Sequence, residues 1–375
     1  MSILSPFIAV IVALSTMFTA VFAYAKPVDD KDYKVYDNVI LMIGDGMGEN
    51  HLAAAKDKYD IDLAMENVPV RGQSQTVNYW GATTDSAAGG SALANATRTS
   101  NGIVGLSVFD PTGSIIEPMN LSELAISLGK SAGVVTTDST SGATPSAFSA
   151  HAMDRDMYED ISHDQLNSEL TLIWGAAETY ITREMAAEHG FAYLDDVADI
   201  EALPEGTRSL GQFNWDDFVN LSNPKTTPTI EKMTKEAIDI LDDDEDGFFL
   251  MVEGARIDKC SHSKDIDGAV DQLVEFDKAI AYALDYAKKD GNTLVVITAD
   301  HETGSVEYSS EKGGYYCTTG SHSSRNVPLL VSDAEAGFNN NEVIKNKRIP
   351  AQLALCLGAE KGTFPACTPV LGKKD

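Results

Sequence analysis

The chain has 375 residues, 43% of them hydrophobic, enough to bury a sizeable core. Asp and Glu number 57 against 28 Lys and Arg, a formal net charge of −29. So acidic a surface argues against nucleic acid or an anionic membrane as partner, and it is what a marine or salt-adapted source would produce.

In chain order, the first 25 residues hold no charged side chain. Ile8 to Val21 is an apolar run, and Ala23-Tyr24-Ala25 is an A-x-A cleavage signature, which predicts a signal peptide over 1–25, though without the usual Lys or Arg at its start. A membrane anchor needs about 20 apolar residues, and Ser2, Ser5, Ser15 and Thr16 interrupt this segment. No Cys near the cleavage point points to a lipoprotein. The expectation is export, to the periplasm or beyond, with no stable membrane span after cleavage. Residues 26–375 show no Pro/Ser-rich linker and no internal repeat, and α/β folds of this length run as one domain.

Asn38 to Ile43 is a continuous apolar run ending in Gly44-Asp45-Gly46, which predicts a buried strand and a turn. A helix is predicted over Ala87–Ala96, another over Leu121–Leu128 stopped by Gly129, and strands over 133–137, 248–252, 294–298 and 327–331. Helical spacing over Ile230–Leu241 and Val270–Ala287 separates them. The alternation predicts an α/β fold: a mixed, mainly parallel central sheet with helices on both faces. Ligands of such sheets bind beyond the carboxyl ends of the strands.

Chemistry-bearing residues collect at those ends. Asp45 follows the first strand, Glu253 the 248–252 run, and Asp300-His301 the 294–298 run. Asp258 and His262 come soon after Glu253, and His322 shortly before the last strand. Thr84-Asp85-Ser86 followed by small residues puts the Ser86 hydroxyl at a helix N-terminus, which favours an anion; alone, it reads equally as an N-cap. Carboxylates mixed with imidazoles suit zinc, and a carboxylate with a hydroxyl suits magnesium. Arg155 offers a fork that matches two phosphate oxygens.

Five blocks, in one order, carry a family resemblance: Leu41-Met42-Ile43-Gly44-Asp45-Gly46-Met47-Gly48, Thr84-Asp85-Ser86-Ala87-Ala88, Ala143-Thr144-Pro145-Ser146, Val252-Glu253-Gly254-Ala255-Arg256-Ile257-Asp258-Lys259 and Thr298-Ala299-Asp300-His301-Glu302. The chain resembles the bacterial alkaline phosphatases from about Asn38 to Leu330. The resemblance implies a metal-dependent phosphomonoester hydrolase acting on small substrates through a phosphoserine at Ser86, with Arg155 as phosphate clamp. It further implies one zinc on Asp258, His262 and His322, a second on Asp45, Asp300 and His301, and a magnesium on Asp45, Thr144 and Glu253. Lys259 is the remaining substrate-side residue, and a homodimer is the common assembly.

Two departures stand out. Gly142 occupies a position where many relatives carry an Asp or His that serves the third metal, so Lys259 is expected to lose a partner unless Asp138 or another acid substitutes. The stretch between His301 and His322 is too short for the domain that larger relatives insert there. A phosphodiesterase of the same superfamily would use a Thr nucleophile and lack the magnesium site and the arginine; a non-catalytic zinc- or phosphate-binding exported protein is the rival from another class.

Other features read as structural. His51, His163 and His189 match no motif, and His151 reads as a satisfied core histidine. Asp242 to Glu253 matches the EF-hand loop pattern, but the apolar run after Gly247 reads as an acidic turn feeding a strand. Trp80 and Trp174 are expected in the core. Cys260, Cys317, Cys356 and Cys367 form an even set in an exported chain, with Cys356–Cys367 the most economical pair.

Overall fold

The computed structural model describes residues 33–108, 115–204, 206–219 and 228–369; the expected signal peptide over 1–25 lies outside them. Ten strands form the central sheet. They are β1 (Asn38–Gly44), β2 (Val70–Gln75), β3 (Ser131–Ser139), β4 (Leu172–Ala176), β5 (Ala192–Leu194), β6 (Ser209–Phe213), β7 (Phe248–Gly254), β8 (Thr293–Thr298), β9 (Val327–Val331) and β10 (Val343–Lys345). Their spatial order is β10-β2-β9-β8-β1-β7-β3-β4-β6-β5. Every neighbouring pair is parallel except those of β9, which runs antiparallel to both β8 and β2.

β1 and β7 are buried at every residue, as strands covered on both faces must be. Successive side chains of β1 point to opposite faces. Val39, Leu41 and Ile43 join one hydrophobic core, and Ile40 and Met42 the other. The first core is closed by α2 (Ser86–Asn95), α3 (Leu121–Ser127), α4 (Ala143–Ala147) and α8 (Arg348–Cys356). The second is closed by α1 (Glu49–Tyr59), α5 (Ile230–Leu241), α6 (Arg256–His262) and α7 (Ile266–Asp290). Leu273, Phe276 and Ile280 line one face of α7 and are fully buried; such side chains contribute about 1.5–3 kcal/mol each. Asp265 caps the start of α7 and Gly291, at φ 82°, ends it. No helix among the described residues is long and apolar enough to cross a membrane.

The register brings the site together. Ile43 on β1 lies opposite Glu253 on β7 and opposite Thr298 on β8, and Thr136 on β3 also faces Glu253. The carboxyl ends of four adjacent parallel strands therefore deliver Asp45, Asp300, Glu253 and Asp138 to one edge. β7 runs through Glu253, two residues beyond the predicted end. Between His301 and His322 the chain forms short antiparallel pairings, 302–303 with 322–323 and 306–309 with 314–317, and the register sets His322 across from Thr303.

Candidate active site and metal centre

Ser86 is the first residue of α2, and Asp85 is its N-cap, with Asp85 Oδ1 accepting from the Ala88 amide at 2.9 Å. Asp85 Oδ2 accepts from the Gly102 amide at 2.9 Å and faces Arg155 Nη1 at 3.5 Å. The acid thus caps the helix and aims the guanidinium toward the same corner. The small residues after Ser86 let the helix approach the sheet edge: a Cβ on Gly89 would lie 2.9 Å from the Asp300 carbonyl oxygen. Close packing explains that run.

His301 is the hub. It is fully buried, and its Nδ1 lies 3.2 Å from Thr303 Oγ1, which itself donates to Asp258 Oδ1 at 2.5 Å. The hydroxyl proton is committed to Asp258, so the imidazole proton sits on Nδ1, and Nε2 presents a lone pair. Around that lone pair stand Ser86 Oγ at 3.2 Å, Asp300 Oδ2 at 3.1 Å and Asp45 Oδ1 at 3.6 Å. A lone pair facing two carboxylates calls for a cation.

The neighbouring group repeats the pattern. His262 Nδ1 donates to the Gly320 carbonyl at 2.8 Å, and His322 Nδ1 to the Thr84 carbonyl at 3.0 Å. Their Nε2 atoms then face each other at 3.0 Å, with Asp258 Oδ2 at 3.2 Å from that of His262. Two imidazole nitrogens so close need a shared proton or a metal ion between them. Asp45, Asp300 and His301 form one set whose ligand atoms lie within 4.8 Å of one another, and Asp258, His301 and His322 form a second. The first set is the one expected for the second zinc; the other carries Asp258 and His322 of the group expected for the first zinc, with His301 in the place of His262, so the two sets share His301.

The donors expected for the third metal, Asp45, Thr144 and Glu253, are all buried. Among the described residues, Thr144 Oγ1, Asp45 Oδ1 and Asp300 Oδ2 are buried without a hydrogen-bond partner, an arrangement that costs free energy unless a ligand or water completes it. Glu253, also buried, accepts from Thr136 Oγ1. These hard oxygen donors fit a cation of the magnesium type. Lys259 has not lost its partner: its Nζ lies 2.9 Å from Asp138 Oδ2.

The electrostatics agree. Burial, then the charges of Asp300 and Asp258, push the Asp45 carboxyl well above its ordinary range. Asp300 is pushed up to about 7, by burial and then by Asp258. Burial and Asp138 raise Glu253 to about 8. Asp258 goes the other way: burial opposes it, but hydrogen bonds from His262 and Thr303 hold it well below the carboxylate range. Burial, reinforced by His322, keeps His301 far below the usual imidazole value, hence neutral and able to ligate. Asp45, Asp300 and Glu253, which cannot ionise comfortably, together with the neutral His301 imidazole make a site short of positive charge.

Sequence reasoning missed Thr303, whose side chain fixes both His301 and Asp258, and the second role of Asp85 in holding Arg155. Neither has a local signature; both act across long stretches of chain. His51 is fully buried, bonded to Ser261 Oγ at 3.0 Å and accepting from the Gly48 amide at 3.1 Å. His151 is satisfied as expected, by the Gly105 carbonyl at 3.0 Å and Glu123 Oε1 at 2.9 Å. Trp174 is in the core, but Trp80 is 68% exposed, with its indole N–H bonded to Ser100. All four cysteines are free thiols, so the economical Cys356–Cys367 pair does not form. Cys356 is buried in α8, while Cys367 begins the strand 367–369 that pairs with 116–118. The acidic run after Leu241 is a turn feeding β7, as read from the sequence.

Comparison with known proteins gives the same picture. A model of the alkaline phosphatase family matches residues 36–181 and 175–346. Alkaline phosphatase 4 of Bacillus subtilis is 29% identical, aligned over 92% of this chain and 78% of its own. The Escherichia coli alkaline phosphatase is 30% identical, over 73% of this chain and 71% of its own. The alkaline phosphatase of the Antarctic bacterium TAB5 superposes with a TM-score of 0.76 at 27% identity, covering 86% of this chain and 99% of that one. A variant of that enzyme with Mg bound in its M3 site gives 0.72, covering 88% of this chain. With an acid- and histidine-lined, metal-binding edge on a mainly parallel sheet, the chain belongs to the alkaline phosphatase family and is a phosphomonoester hydrolase.

Proposed function

We propose that this phosphatase works through a phosphoserine at Ser86, served by two zinc ions and one magnesium. The observation that carries the reading is the Ser86 hydroxyl, at the start of α2 and 3.2 Å from His301 Nε2, where the two acid–imidazole groups meet. Asp258, His262 and His322 hold the first zinc, Asp45, Asp300 and His301 the second, and Asp45, Thr144 and Glu253 the magnesium. When bound, these ions supply the positive charge that lowers the pKa of a hydroxyl or water and stabilises a leaving oxygen.

The chain's own groups do the rest. Arg155, steadied by Asp85, forks onto two non-bridging oxygens of the phosphoryl group, and free amides at the start of α2 favour the anion. Ser86 Oγ attacks phosphorus, the bond to the ester oxygen breaks, and the alcohol leaves with a proton. Water then attacks the phosphoserine, inorganic phosphate departs, and Oγ regains a proton. A monoester gives Arg155 two free oxygens and still leaves one for the metal side; a diester has fewer. Export, a single domain over 26–375 and assembly as a homodimer complete the proposal, supported by the A-x-A signature and the family resemblance.

The test is hydrolysis of p-nitrophenyl phosphate beside the bis-ester, before and after chelation. The reading expects strong preference for the monoester, loss on chelation and recovery with Zn²⁺ plus Mg²⁺. Full turnover in the metal-free sample, or preference for the bis-ester, would overturn it. Light scattering on the purified enzyme tests the dimer, and a monomer would remove that part.

A further inference from the structure

We propose that Asp138 takes the place left open at Gly142, serving the magnesium pocket as its additional acid and holding Lys259. This rests on the magnesium assignment of Asp45, Thr144 and Glu253 made above.

The geometry supports it from three sides. A Cβ built on Gly142 would lie 2.8 Å from Asp138 Oδ2 and 2.9 Å from Asp138 Cγ. The Asp138 carboxylate therefore fills the volume a side chain at 142 would enter. Asp138 lies two residues after Thr136, where β3 departs from its regular register. Its backbone amide donates to Thr136 Oγ1 at 2.8 Å, and that hydroxyl donates onward to Glu253. The pocket glutamate and Asp138 thus belong to one hydrogen-bonded chain. Asp138 Oδ1 accepts from the Ser139 amide at 2.8 Å, and Oδ2 from Lys259 Nζ at 2.9 Å. The carboxylate is fixed, mostly buried, and keeps lone pairs free for a metal-bound water.

An acid reaching the pocket from β3 can do what an acid on the α4 turn would do, because magnesium usually keeps several waters and needs them oriented. Partners of that kind typically change affinity about ten- to a hundredfold. The packing also bars the simple restoration. Asp at 142 would collide with Asp138 and with the Ser139 carbonyl oxygen, 2.9 Å from the new Cβ.

The experiment is calorimetric titration of Mg²⁺ into the zinc-loaded enzyme, with melting temperature measured before magnesium is added. Asp138→Asn keeps the shape and removes the charge, and Asp138→Ala removes both. Expected are about ten- to a hundredfold weaker Mg²⁺ binding in both variants, unchanged zinc content, and no tightening in Gly142→Asp. Wild-type Mg²⁺ affinity in Asp138→Asn, or tighter binding in Gly142→Asp, would overturn the proposal while leaving the magnesium site itself standing. If the wild-type enzyme takes up no Mg²⁺, the magnesium assignment falls, and this inference with it.

Discussion

Ser86 Oγ and His301 Nε2 stand 3.2 Å apart, and the imidazole proton is drawn to the opposite nitrogen by Thr303. One threonine hydroxyl therefore decides that the nitrogen facing the nucleophile is a lone-pair donor to metal. The same hydroxyl also steadies Asp258 in the neighbouring group. Thr303→Val preserves shape and removes both bonds. It should weaken zinc about ten- to a hundredfold, the usual effect of losing an orienting partner. Competition against a chelator of known affinity measures this, and wild-type zinc retention would show that His301 is held by packing alone.

Asp85 carries two loads, so its removal should show twice. Asp85→Ala deletes the N-cap of α2, a loss of about 1 kcal/mol in a denaturant melt. It also frees Arg155, which should raise KM for the monoester. Arg155→Ala should raise KM without the stability loss, and should harm monoester turnover more than diester turnover. Equal harm to both substrates would remove Arg155 from the clamp role.

The raised carboxyl groups give a signed pH effect in metal-free enzyme. From pH about 6.5 upward the unfolded chain still sheds protons at His51 and His301, both depressed when folded, His51 to about 4, which is a smaller effect of opposite sign. From there to about 8, Asp300, pushed up to about 7, and Glu253, to about 8, still hold protons that the unfolded chain has released. The folded state binds more protons, so its stability falls as pH rises through that window. Thermal melts of the chelated protein should drop from pH about 6.5 to 8, while the metal-loaded enzyme should lose less, its ions replacing the protons. A chelated protein that gains stability over this window would contradict the electrostatic reading.

Much of this architecture was legible in the sequence because the informative strands are continuous apolar runs. β9 (Val327–Val331) and α5 (Ile230–Leu241) fall where periodicity put them, and β1, β7 and β8 differ by a residue or two. Missed were β2 and the short strands β4, β5, β6 and β10, which flank the site strands and carry no strong period of their own. β2 alternates polar and small residues, and it is a strand because β9 and β10 pair with it. The residues delivered by strand ends, such as Asp45 and Asp300, were found because a chain motif marks them. Thr303 and Asp85's hold on Arg155 were not, because their meaning exists only once distant segments meet. Trp80 misled because indoles are usually buried; here the Asn78 side chain, accepting from the Trp80 and Ala82 amides, orders the turn that carries it at the surface.

The proposed mechanism stands on phosphorylation of Ser86 itself. The direct measurement is incubation of the metal-loaded enzyme with labelled inorganic phosphate, an acid quench, and mass spectrometry of the peptide that contains Ser86. An acid-stable phosphoserine is expected at Ser86 and absent from Ser86→Ala, whose kcat should fall by orders of magnitude. Label on another residue, or wild-type turnover by Ser86→Ala, would contradict it.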